Sequence, residues 1–288
     1  MRVEDVFEVY SSKVAEVHIY RLAIKTAANQ ELQRLNTQIA IHLESGIADS
    51  LPVSLQNMSF LTAETGRHHF YALNHATTKH LIDSLVQRTN RQYQWLLVET
   101  YELFEDYLEQ SYACMGFSEN GTWPLRDFGG TYLPELEEKS YEYFLKQSQG
   151  KKDRPHSILN QFRSSLPHVK RFEVMNSLEI NLNLALAIIE KMRHFIVHLR
   201  GVVNDREQAA KQILERAGVY KNGNPSKADS SFLDFYFQLS DGTNSICLLD
   251  IAGEPVGPFR THFDVFEYLS NCLLAYAFTI RNALMSRA

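Results

Sequence analysis

Apolar positions repeat at helical spacing along most of this chain. Residues 3–44 contain no glycine or proline. Within them Val6, Val9, Tyr10, Val14, Val17 and Ile24, then Leu32, Leu35, Ile39 and Leu43, recur at close to helical spacing, which predicts one long helix or two collinear ones. Gly46 fits a C-terminal stop. Residues 45–66, with Pro52 and Gly66, read as a connector lying on the surface. Residues 67–115 are again free of glycine and proline. From about residue 74 the pattern turns helical, through Leu81, Leu85, Trp95, Val98, Leu103, Tyr107 and Leu108. A continuous helix there is about 60 Å long, with room for a kink near Thr89 and Asn90. Its second half carries aromatic residues on one side and Glu99, Glu102, Glu105, Asp106 and Glu109 on the other. The acidic strip reads as a solvated face; binding a metal or holding the Arg193 guanidinium are its other uses.

Gly116, Gly121, Pro124, Gly129 and Gly130 mark a loop over residues 116–133. Pro134 opens a short helix to about Gln149, and Pro155 opens another that ends near Pro167. A long helix is expected from about Phe172 to Arg200, stopped by Gly201. Asp205 caps a helix over residues 206–217, and Gly218 ends it. After a loop at 221–231 the period becomes two. Leu233, Phe235, Phe237 and Leu239 alternate with polar residues, Ser240 to Thr243 form a turn, and apolar residues return over 246–251. That predicts a β-hairpin over about 232–251, which must pack on the helices to be stable. Thr261, with Asp264 three residues later, is the expected cap of a last helix over 263–285. The expected fold is mostly α: an up-and-down helical bundle of residues 86–288 with a small inserted β-hairpin, preceded by a long-helix extension of residues 1–85.

Composition narrows the function classes. The net charge of −5 means that any nucleic-acid binding needs a local basic pocket rather than a basic surface. Cys114, Cys247 and Cys272 lie far apart, which argues for a reducing compartment and against a zinc ribbon. The acidic, amphipathic N-terminus does not read as a signal peptide. The longest apolar run, residues 182–189, is too short for a bilayer. A cytoplasmic protein with no membrane partner is expected. No pair among His68, His69, His75 and His80 has the i, i+4 spacing of two ligands on one helix face, so these read as surface histidines.

The chain is organised around residues 190–201. An apolar helical run, 181–189, is followed abruptly by Lys191, Arg193, His194, His198 and Arg200. At about 100° per residue, Arg193, His194 and His198 stand at roughly 0°, 100° and 140°. The two histidines share a strip, and Arg193 points well away from His198. Cations at the end of a buried helix conflict with burial unless they are paired or line a cavity. Three readings fit. The cluster answers the negative end of the helix dipole. Alternatively His194 and His198, at i, i+4, bind a metal, although neighbouring arginines repel a cation. Or the cluster is an anion or phosphate site with acid/base capacity, in which arginine supplies forked donors and histidine moves protons. The last needs neither metal nor cofactor, and Lys191 and Arg200 add anion-binding charge to it.

Arg193, His194, Phe195, Ile196, Val197 and His198 resemble the Arg-x-x-x-x-His motif of the HEPN superfamily. Gly201 and Val203 follow, a long apolar helix precedes, and an aromatic- and glutamate-rich helix (95–108) and a closing apolar helix match the setting. The resemblance covers about residues 90–288. It implies a helical bundle that dimerises with the motif helices facing each other. Many members are metal-independent endoribonucleases of toxin, antiviral or RNA-processing systems; others are inactive or bind nucleotides. Carried over, Arg193 stabilises the phosphate, His198 is the acid/base and His194 assists. The implied partners are RNA or a nucleotide, a second copy of the chain, and an antitoxin protein.

Overall fold

The computed structural model describes residues 2–46, 54–118, 122–219, 233, 235–240, 243–252 and 262–287. The fold is mostly α. In order the elements are α1 (Val3–Glu44), β1 (Ser54–Leu61), β2 (His68–Ala76), α2 (Thr78–Ser118), 3-10 turns at Leu125–Phe128 and Leu133–Glu138, α3 (Tyr141–Gln149), α4 (His156–Ser165), α5 (Pro167–Phe172), α6 (Leu182–Leu199), α7 (Arg206–Ala217), β3 (Phe237–Ser240), β4 (Thr243–Ile246), β5 (Ile251–Ala252), β6 (His262–Phe263) and α8 (Val265–Met285). Among the described residues the strands pair as three antiparallel ribbons, β1 with β2, β3 with β4 and β5 with β6. No helix among them is long and apolar enough to cross a membrane.

Two compact units divide the chain: Met1–Ile19 with Tyr93–Ala288, and Tyr20–Gln92. This corrects the expected extension of residues 1–85 at its start. The first turns of α1 belong to the bundle because Val6, Tyr10, Val14 and Val17 are buried in it. The Tyr10 ring lies 5.0 Å from that of Tyr107, and His18 Nε2 and Ser270 Oγ are hydrogen bonded at 2.8 Å.

In the unit of residues 20–92, the expected connector is a hairpin. Strand β1 pairs with β2 from Ser54↔Ala76 to Leu61↔His68, with an irregularity between Gln56 and Met58. Gly66, at φ +65°, closes its turn, its N–H donating to the Thr62 carbonyl (2.9 Å). Met58, Phe60, Leu61, Phe70 and Tyr71 are all largely exposed, so neither face leaves the half-buried alternation that marks a strand in a sequence. His68, His69, His75 and His80 are exposed, as expected. Pro52 lies outside the described residues.

The larger unit is built on α2, α6 and α8. Tyr93, Leu97, Tyr101, Phe104, Tyr107, Leu108 and Tyr112 form the buried stripe of α2, and Trp95, expected there, is half exposed. The helix runs unbroken through Thr89, whose Oγ1 donates to the Leu85 carbonyl (2.8 Å). The buried face of α6 is Leu182, Ala185, Leu186, Ile189, Met192 and Ile196.

Three boundaries differ from expectation. The helix expected from Phe172 starts only at Leu182, because the Asn176 side chain satisfies the backbone in between. Its Nδ2 donates to the Phe172 and Ile180 carbonyls (2.9 and 2.7 Å), and its Oδ1 accepts from the Leu178 and Ile180 amides. Asn181 caps the new start by accepting from Leu184 N–H (3.0 Å). The last helix is capped by Asp264, which accepts from Glu267 N–H (2.8 Å); Thr261 lies outside the described residues, as do residues 221–231, Asp241 and Gly242. The hairpin is shorter than expected, pairing Phe237↔Ile246 to Ser240↔Thr243. Asp205 caps α7 as expected, accepting from Gln208 N–H (2.9 Å).

Candidate functional site

Strand β4 is fastened to the exit of α6. Ile246 N–H donates to the Gly201 carbonyl (3.0 Å) and Val203 N–H to the Asn244 carbonyl (2.8 Å). Gln94 of α2 donates to the Ile246 carbonyl (2.8 Å). Arg200 and Gly201 both take left-handed backbone angles, φ +57° and +79°. A Cβ on Gly201 would stand 2.7 Å from the Gln94 amide, the end of a flexible side chain, so it is the left-handed backbone that favours glycine there. The hairpin, expected only to pack, thus holds the turn directly beneath His198 and Arg200.

The charged end of α6 has two sides. Toward α2, Arg193 donates from Nε and Nη2 to Glu102 Oε1 (3.0 and 2.5 Å). That hydrogen bonding raises the Arg193 guanidinium further above its ordinary value. Glu105, one turn on, is pushed up to about 7, first by burial and then by the Glu102 charge. Glu109 is buried and paired with Arg154. The acidic strip is therefore solvated only in part: Glu99, Glu102 and Asp106 are exposed, while Glu105 and Glu109 turn inward.

Toward α7 a cleft of about 340 Å³ opens, lined by Ala187, Glu190, Lys191, His194, Gln212, Ile213 and Arg216. Glu190 accepts from His156 Nε2 (2.7 Å) and from Arg216 Nη2 (3.2 Å), and Arg216 also reaches Asp153 (2.9 Å). Burial alone would raise the Glu190 carboxyl; the bonds from His156 and Arg216 win and leave it below its ordinary value. Lys191 Nζ lies over the Phe195 ring, 4.9 Å from its centre, and desolvation lowers its affinity for a proton. His194 is lowered too, first by desolvation and then by the positive charges of Lys191, His198 and Arg193.

The structure brings His194 and His198 together, with ring centres 4.9 Å apart; both are exposed, as is Arg200. It does not bring Arg193 to His198, because Arg193 is drawn to α2. Among the described residues no three His, Cys, Asp or Glu side chains gather where they would hold a metal ion. Cys114 and Cys272 are buried and pushed up to about 11 by that burial, so neither thiol is a ready nucleophile. Glu102, His156, Gln212 and Arg216 were not legible as site residues in the sequence. Their partners lie tens of residues away, and only the acidic strip hinted at one of them. No protein-family model, curated protein sequence or solved structure matches this chain.

Proposed function

We propose that the protein is a HEPN-like, metal-independent endoribonuclease acting in defence, stress or RNA processing. One observation carries the reading. His198 and His194 are exposed side by side at the end of α6, among Lys191, Arg193 and Arg200. That set suits phosphodiester cleavage. An imidazole takes the ribose 2′-hydroxyl proton, the 2′-oxygen bonds to phosphorus, and the bond to the 5′-oxygen breaks. A protonated imidazole then supplies the proton of the leaving oxygen, while cations stabilise the charge on phosphorus. His198 is the acid/base, His194 assists, Arg193 contacts the phosphate, and Lys191 and Arg200 hold the strand.

In this reading the enzyme works as a homodimer. Arg193 and His198 diverge by about 140° around one helix, so a compact site takes its arginine and its histidine from two copies related by a two-fold axis. Val197 and Leu199, apolar and 38–39% exposed beside His198, suit such contact. An antitoxin partner would cover the same patch.

A second reading, a non-catalytic module that binds a nucleotide or a protein, is favoured by a different observation: two donors of Arg193 are already engaged by Glu102.

Labelled RNA distinguishes the two. Wild-type protein should cleave it with or without EDTA, and His198→Ala should lose about 100- to 10,000-fold in rate with its melting temperature little changed. If the wild type leaves every RNA intact and His198→Ala melts several degrees lower, the cluster is structural and the module reading takes its place.

A further inference from the structure

The α6–α7 cleft lies beside the exposed histidine pair and has a use of its own. Its single carboxylate, Glu190, is already answered by His156 and Arg216. Lys191 is answered only in part: among the described residues its ammonium has no ion-pair partner, lies over the Phe195 ring, and feels the Glu190 carboxylate without bonding to it. Among the described residues Lys191, His198 and Arg193 of its own helix all disfavour the protonated form of His194. Arg216 faces the cleft from α7 with Asp153 and Glu190 attached, and Glu102 of α2 is bonded to Arg193. The cleft wall therefore holds uncompensated positive charge that an anion would relieve. Ala187 and Ile213 lie behind this wall and are almost wholly buried, so its open side is Lys191, His194, the Gln212 amide and the Glu190–Arg216 pair. At about 340 Å³ the space falls within the range of roughly 300–1,000 Å³ typical of small-ligand sites.

We propose that this cleft is the subsite for one nucleotide of the RNA strand, flanking the cleaved linkage. Its phosphate lies between Lys191 and His194, and the exposed Gln212 hydrogen-bonds to its sugar or base. The proposal rests on the ribonuclease reading and adds the position of a neighbouring nucleotide to it. The same chemistry would also take the phosphate of a free nucleotide, so the test separates the two sources.

The test uses the full chain and three probes: inorganic phosphate, a nucleoside 5′-monophosphate, and a 2′-deoxy dinucleotide, which cannot be cleaved through a 2′-oxygen. The imidazole signals of His194 are followed by NMR through a pH titration. The dinucleotide should bind best and should raise the His194 pKa, since the anion removes the repulsion that disfavours its protonation. Binding should therefore tighten as pH falls toward 6. Lys191→Glu should weaken dinucleotide binding at least tenfold and Lys191→Arg should largely retain it. Gln212→Ala should weaken the dinucleotide severalfold while leaving inorganic phosphate unaffected. Dinucleotide binding that is unchanged in Lys191→Glu, with no movement of His194, overturns the subsite even if RNA is cleaved. Tight binding of the monophosphate but not the dinucleotide also overturns it, in favour of a free-nucleotide site. If the cleft binds the dinucleotide as described but RNA is never cleaved, the ribonuclease reading fails and a nucleotide-binding cleft remains.

Discussion

Arg193 and His194 are adjacent on the same helix, yet they stand in opposite electrostatic settings. Arg193 faces α2, where Glu102 binds it and Glu105 lies close by. His194 faces α7, where burial and then Lys191, His198 and Arg193 disfavour its protonation, while the nearby carboxylate, Glu190, is taken by His156 and Arg216. One side is a neutralised ion pair and the other an open, positively charged cleft. A net charge of −5 for the chain predicts neither. What a cation at this helix end can do depends on the element it faces.

The sharpest way to break this comparison is to remove the arginine on the neutralised side. If Glu102 merely stores Arg193 until RNA arrives, Arg193→Ala should lower the cleavage rate on the order of 100-fold, the scale of losing one oriented charge donor in the transition state. Arg193→Lys should recover only part of it, because the forked donor is lost. An Arg193→Ala enzyme with wild-type rate would mean that the pair is structural and that the chemistry lies on the α7 side alone.

A smaller effect is expected from freeing the arginine. Glu102→Gln should strengthen RNA binding severalfold at low salt and make its salt dependence steeper, as one more cation becomes available to phosphate. Its stability penalty should stay below about 1 kcal/mol, since the pair is partly exposed. Weaker RNA binding in this variant, measured by fluorescence anisotropy against salt, would instead make Glu102 a positioning residue for Arg193.

A separate effect, on stability rather than on RNA, belongs to Glu105. Its carboxyl titrates near 7 in the folded chain against an ordinary 4.5. The folded state thus holds the proton more tightly, and stability should decline as pH rises from about 4.5 to about 7. Glu105→Gln should flatten that decline and should gain stability relative to wild type at pH 8 but not at pH 4. Urea unfolding at the two pH values checks this; an unchanged slope would place the titration elsewhere.

Much of the architecture was legible in the chain because it depends on local rules. Long stretches without glycine or proline became α1 and α2. Asp205 and Gly218 bounded α7, and the abrupt arrival of charge after residues 181–189 marked the end of α6. The misses have local causes too. Asn176 offered the backbone a side-chain alternative and broke the helix expected from Phe172. Residues 58–61 and 68–72 of the β1–β2 hairpin are exposed on both faces, so they carry no alternating pattern.

By itself the sequence determined that residues 190–200 would bring cations and histidines to a helix end, and that Arg193 and His198 would diverge there, because both follow from helical geometry alone. Only the tertiary structure decided which of those cations are answered. The Arg193–Glu102 contact joins residues 91 apart and the Glu190–His156 contact residues 34 apart. Spacing along a chain specifies neither, since α2, α4 and α7 are set against α6 by the burial of their apolar faces. Their polar residues meet wherever that packing leaves them.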